Sequence, residues 1–200
     1  MRFLLFVISG FWAGCTHSSG DMNERTVIPQ NEIWASDSTL STQQGHLYLK
    51  DKPYSGFVIS RYANGKLASK NSYLNGKLEG KQEKWYQNGD LQEIRFYETN
   101  RKVGKHEGWY QNGQKRFEYF INNDVPVKIH REWYENGQLF TFNTFNDAGQ
   151  PEGLQQMWFE NGKIKANYVV KEGRRFGLLG AKGCMGKREI KTTKMVIAKE

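Results

Sequence analysis

The feature that most constrains this chain is a repeat. Asn-Gly pairs at 64–65, 88–89, 112–113, 136–137 and 161–162 are spaced 24, 24, 24 and 25 residues apart. The letters before them align as RYANG, WYQNG, WYQNG, WYENG and WFENG. A second landmark keeps the same phase: Gly56, Gly80, Gly104, Lys128, Gly153 and Gly177. The one extra residue lies between Phe145 and Gly153. An internal period of this length marks a repeat architecture, in which each unit buries its apolar face against the next.

Each period holds two short segments with an Asn-Gly turn between them, the strongest short-range hairpin signal. The pairs Asn64-Gly65, Asn88-Gly89, Asn112-Gly113, Asn136-Gly137 and Asn161-Gly162 are therefore expected to form two-residue type I′ turns. In that alignment Gln87 faces Asp90, Tyr86 faces Leu91 and Trp85 faces Gln92. Asn75-Gly76 falls outside the series and belongs to a longer return turn. One hairpin alone is marginal in water, whereas stacked hairpins complete a sheet. Stacking lines up Tyr62, Tyr86, Tyr110, Tyr134 and Phe159 in one column. It places Trp85, Trp109, Trp133 and Trp158 in a second, and Tyr73, Tyr97, Ile121, Phe145 and Val170 in a third. The expected fold is all-β: an elongated single-layer antiparallel ribbon of about five stacked β-hairpin repeats.

A Gly, then an aromatic residue, then Asn-Gly, repeated head to tail over 46–180, resembles the bacterial variant of the MORN repeat (membrane occupation and recognition nexus). Lys128 departs from the landmark Gly, and Arg61 stands where Trp is expected. The resemblance implies a curved ribbon that mediates contacts rather than catalysis. Some bacterial members are labelled antitoxins of the YwqK type, so toxin neutralisation or immunity is an alternative role.

The flanks differ from the repeat. The chain opens MRFLLFVISGFWAGC. Arg2 followed by a ten-residue apolar run fits a signal peptide over 1–14 and is too short to span a bilayer. Small residues before Cys15 resemble a lipoprotein signal, with Trp12 where an aliphatic residue is usual. Cys15 is then the lipidated residue, and the membrane is a partner through that anchor. Residues 15–45 are polar and without clear period, which reads as a flexible tether. Thr16 is not Asp, which points to the outer membrane, facing the periplasm or the surface. The net charge of +8 sits at the other end: residues 163–200 hold 11 basic and 3 acidic side chains. Residues 181–200 form a basic C-terminal tail, read as a solvated end, with no nucleic-acid partner expected.

Motifs for nucleophilic, phosphate-binding or zinc chemistry are missing from the sequence, and no enzyme activity, cofactor or metal is expected. His106 and His130 occupy equivalent places in successive units. Equivalent strands lie about 9–10 Å apart, too far to share one ion, so half-exposed sheet positions are expected for both. The Trp column, Trp85, Trp109, Trp133 and Trp158, is the candidate binding face, since flat rings on a polar sheet accept a peptide or a sugar chain. A protein partner in the bacterial envelope is the leading expectation, with cell-wall glycan as a weaker alternative.

Overall fold

The computed structural model describes residues 27–180. The signal segment 1–14, Cys15, the first part of the proposed tether and the tail 181–200 lie outside the described residues. The strands are β1 (Glu32–Trp34), β2 (Leu40–Gln43), β3 (His46–Leu49), β4 (Lys52–Pro53), β5 (Gly56–Arg61), β6 (Leu67–Leu74), β7 (Lys77–Trp85) and β8 (Leu91–Glu98). They continue as β9 (Arg101–Lys102), β10 (Gly104–Trp109), β11 (Lys115–Asn122), β12 (Val125–Trp133), β13 (Leu139–Phe145), β14 (Pro151–Trp158), β15 (Ile164–Lys171) and β16 (Arg174–Leu178). From β5 onward the strands of one 13-stranded sheet pair in chain order, except that β8 pairs with both the short β9 and β10, and β2–β3–β4 form a small separate sheet. No helix is assigned among the described residues. Strands pack against their ladder neighbours, so the sheet is an open single layer.

The turns invert the expected assignment. Tyr86 N donates to Asp90 O (2.8 Å) and Gly89 N donates to Tyr86 O (2.8 Å). Gly89 has φ +98°, while Asn88 is not among the positive-φ residues. This is a type I turn closed by a glycine bulge, not a type I′ turn. The same bonds recur at Tyr62, Tyr110, Tyr134 and Phe159. Asn drives the choice: its Oδ1 accepts the backbone N–H two residues on, as in Asn88 to Asp90 N (3.0 Å) and Asn112 to Gln114 N (3.0 Å). The longer loop places Leu91 opposite Trp85 rather than Tyr86. A bulge at Gln92 absorbs the slip, and from Lys84↔Glu93 inward the pairing is the expected one.

The type I′ turns are the return turns. Both central residues have positive φ at Asn75-Gly76, Thr99-Asn100, Asn123-Asp124 and Glu172-Gly173. The fourth return turn is the exception: Gly149 N donates to Asn146 O, and the larger loop holds the extra residue of the 25-residue period.

Part of the expected tether is built into the sheet. β1 pairs parallel with β5, setting Trp34 beside Ile59. Asn31 O accepts both Phe57 N (2.7 Å) and the Tyr54 hydroxyl (3.1 Å). Leu47 N donates to Gly76 O (2.7 Å). Tyr54, 6% exposed, anchors this corner. Backbone pairing with the first hairpin, rather than burial of many side chains, is what orders this polar segment.

Candidate binding face

The repeated pentapeptide joins one unit to the next. The Tyr62 hydroxyl donates to Trp85 O (2.6 Å), Tyr86 to Trp109 O (2.8 Å), Tyr110 to Trp133 O (2.8 Å) and Tyr134 to Trp158 O (3.0 Å). The Asn side chains add a second rung: Asn64 Nδ2 donates to Gln87 O, Asn112 to Glu135 O and Asn136 to Glu160 O. Asn88 instead donates to its own turn's Asp90. The fifth unit carries Phe159 where the others carry Tyr, and no later Trp carbonyl follows it. The column first read as ring packing is thus also a ladder of hydrogen bonds. The change from Tyr to Phe in the last unit was the available clue.

Trp85, Trp109, Trp133 and Trp158 are each half-buried. The position that Arg61 takes from Trp is completed from β1, with the Arg61 guanidinium 5.7 Å from the Trp34 ring. Alternation puts Lys81 and Glu83 on the side of Trp85, and Lys105 and Glu107 on the side of Trp109. These side chains pair in a ladder: Lys81–Glu83 2.7 Å, Lys105–Glu107 2.9 Å, Lys105–Glu118 2.9 Å and Arg131–Glu118 2.8 Å. Lys115 joins ladder and rings, 2.5 Å from Glu107 and 4.9 Å from the Trp109 ring centre. Glu107 and Glu118 are desolvated by burial, but hydrogen bonds from the lysines outweigh this and hold both carboxyls below their usual range. The face presents flat rings beside charges of both signs.

The opposite face is the packed one. Val58, Glu93, His106, Phe117, Thr141, Gln155, Ala166 and Val170 are all buried there. Gly108 lies under the Phe117 ring, its cross-strand partner. Glu93 bonds Lys84 (2.9 Å) and Arg95 (3.1 Å), and Arg116 approaches to 3.5 Å. Burial raises the Glu93 pKa, but Arg95 and Lys84 reverse the shift and leave it lowered.

His106 is fully buried, not half-exposed as expected. The cause is the landmark glycine bulge. In the second unit Ser72 bonds the bulge carbonyls Glu79 O and Lys81 O (2.7 Å). In the third unit Phe96 replaces the hydroxyl, and His106 Nε2 reaches Phe96 O (3.0 Å) and Val103 O (3.1 Å) instead. His130 Nε2 meets Phe120 O (2.8 Å) in the same way, and Gln155 donates to Thr144 O (2.7 Å). His106 Nε2 also lies 3.3 Å from Phe96 N, and His106 Nδ1 has no partner among the described residues. Burial lowers the pKa of both histidines. No group of residues suited to hold a metal ion occurs among the described residues.

The family model described as "MORN repeat variant" matches residues 78–99 and 151–169. Each match covers a hairpin around one of the repeated turns, and the intervening units share its spacing and bonds. This supports a MORN-repeat protein. No curated protein matches the chain.

Proposed function

We propose that this protein is a non-enzymatic repeat scaffold of the bacterial envelope. It is lipid-anchored at Cys15 and binds a protein partner across the Trp face. One observation carries the reading: Trp85, Trp109, Trp133 and Trp158 line the open face of a single-layer sheet, half-exposed, beside a ladder of ion pairs. Aromatic rings among charges of both signs are the composition of a protein-binding surface, where the rings supply contact area and the charges set register. Surface ion pairs contribute little to stability, so they can exchange partners on binding. An immunity role is the special case in which the partner is a toxin met outside the cytoplasm. The anchor rests on the sequence around Cys15, and the outer-membrane site on Thr16.

Two measurements test the proposal. The intact mass of native protein from the membrane fraction should match a chain starting at lipidated Cys15, and Cys15→Ser should abolish it. A mass starting at Met1 in the soluble fraction would remove the envelope from the reading. Trp109→Ala with Trp133→Ala should abolish crosslinking to envelope proteins while leaving the melting temperature within a few degrees. A large melting loss would make the rings packing elements. Retention on peptidoglycan, lost in the same variant, would replace the protein partner by a glycan.

A further inference from the structure

The two ends of the main sheet are built differently. The first is closed by the chain itself, since β1 pairs with β5. A strand this short is a protected edge. At the other end β16 pairs with β15, and among the described residues it has no second neighbour. Every residue of β16 is exposed. Phe176, Leu178 and Leu179 are 56%, 55% and 53% exposed, and Val169 opposite Phe176 is 43% exposed.

The repeat states what the next strand looks like. Each earlier landmark position has an aromatic or β-branched residue opposite it on the following strand. Gly56 faces Tyr73, Gly80 faces Tyr97, Gly104 faces Ile121, Lys128 faces Phe145 and Gly153 faces Val170. Gly177 is the sixth landmark, and its one ladder partner, Tyr168, lies on the preceding strand. The charge is equally directive. The last hairpin, residues 163–180, carries Lys163, Lys165, Lys171, Arg174 and Arg175 against Glu172. Residues 181–200 hold six basic and two acidic side chains, and a second copy would bring the same basic edge. Like charge disfavours both as occupants.

We propose that the outer edge of β16 binds an extended acidic strand of a partner protein, which adds antiparallel and sets an aromatic or β-branched residue opposite Gly177. Backbone bonding gives the affinity, and Phe176, Leu178, Arg174 and Arg175 select the sequence. The edge is separate from the Trp face, so this proposal stands or falls independently of that one.

The test uses the full chain and a labelled peptide with the sequence of residues 164–173 carrying Lys165→Glu, Lys171→Glu and Gly173→Glu. This peptide copies the strand that covers β14, with the charge reversed. Fluorescence anisotropy should show saturable binding. Arg174→Glu with Arg175→Glu should weaken it by about tenfold or more, as should added salt. A peptide with Val170→Pro, which removes the N–H that would face Gly177, should not bind the unaltered protein, which tests the ladder without any change to the chain. Amide exchange at Arg175 and Gly177, whose N–H groups point away from β15 to the outer edge, should slow when the peptide binds. No saturation, or binding indifferent to charge reversal and salt, would overturn the proposal. So would these two amides being already protected in the free protein, because the tail or a second copy would then hold the edge.

Discussion

Tyr110→Phe isolates the joint between units. The Tyr110 hydroxyl donates to Trp133 O at 2.8 Å, and the variant deletes that group while leaving the ring in place. No cavity forms, so the loss is that of one hydrogen bond, about 1 kcal/mol net. Trp133 is half-buried and water can partly satisfy its carbonyl, which keeps the value below the full cost of an orphaned acceptor. Tyr62, Tyr86 and Tyr134 make the same bond. The sites are about 9–10 Å apart, so the four substitutions together should cost about 4 kcal/mol, a large share of a domain's usual stability. Phe159→Tyr is the control. Its ring is 47% exposed and no later Trp carbonyl awaits it, so its effect should stay within about 0.5 kcal/mol. Urea unfolding followed by Trp fluorescence reads each variant against the unaltered protein. In a repeat array the joints also couple the units, so the fourfold variant should unfold over a broader range, with a smaller m. The reasoning is refuted if Tyr110→Phe costs under about 0.3 kcal/mol, or if Phe159→Tyr stabilises as much as the others lose.

Three further outcomes follow from single positions. Thr99 is β-branched and holds φ +50° in a type I′ turn, so Thr99→Asn should raise stability by about 1 kcal/mol in the same urea assay. A Cβ on Gly108 would clash with Cε1 of the buried Phe117 ring, so Gly108→Ala should cost about 1–3 kcal/mol. Burial depresses the folded pKa of His106 and His130, so the folded state resists their protonation. Stability is then full above the ordinary histidine pKa of about 6.5 and falls as pH drops from there toward the depressed values. Glu93, also depressed, extends the loss further as pH falls below the ordinary carboxylate range. Melting curves from pH 8 to 2 should show both steps, and His106→Gln should flatten the first.

The strand order, the unit boundaries and the strand-body register were legible in the sequence, because Asn-Gly and the landmark Gly recur in fixed phase. Turn type was not. Asn-Gly fits both a type I′ turn and a type I turn with a glycine bulge, and the choice depends on where Asn Oδ1 finds its donor. The real type I′ turns were hidden in Thr99-Asn100, Asn123-Asp124 and Glu172-Gly173, pairs that advertise no common motif. His106 was misread for a related reason. Its burial goes with the bulge at the landmark glycine, where its Nε2 meets Phe96 O and Val103 O as Gln155 meets Thr144 O, a relation between strands that no single segment displays. The ordered part of 15–45 was invisible because backbone pairing with β5, not hydrophobic period, fixes it.

The division of labour within the pentapeptide bears on the Trp face. The part of Trp that joins neighbouring units is its backbone carbonyl, which any residue would supply. The joint is made by the Tyr hydroxyl of the unit before and reinforced by Asn. The turn is made by Asn and Gly. The first unit shows the consequence: Arg61 replaces Trp, yet its hairpin has the same turn bonds and the same bulge as the rest. A Trp ring at this position is therefore not required for the turn. What the ring adds is lateral: it covers part of the ladder of lysines and glutamates, as Lys115 over Trp109 illustrates, and it offers a flat apolar surface to anything that lies along the ribbon. Loss of the Trp109 and Trp133 rings should then cost far less stability than burial of an indole in a closed core, about 3–5 kcal/mol each. A combined loss below about 3 kcal/mol would leave the rings free for a partner, and a loss at the core value would tie them to the fold.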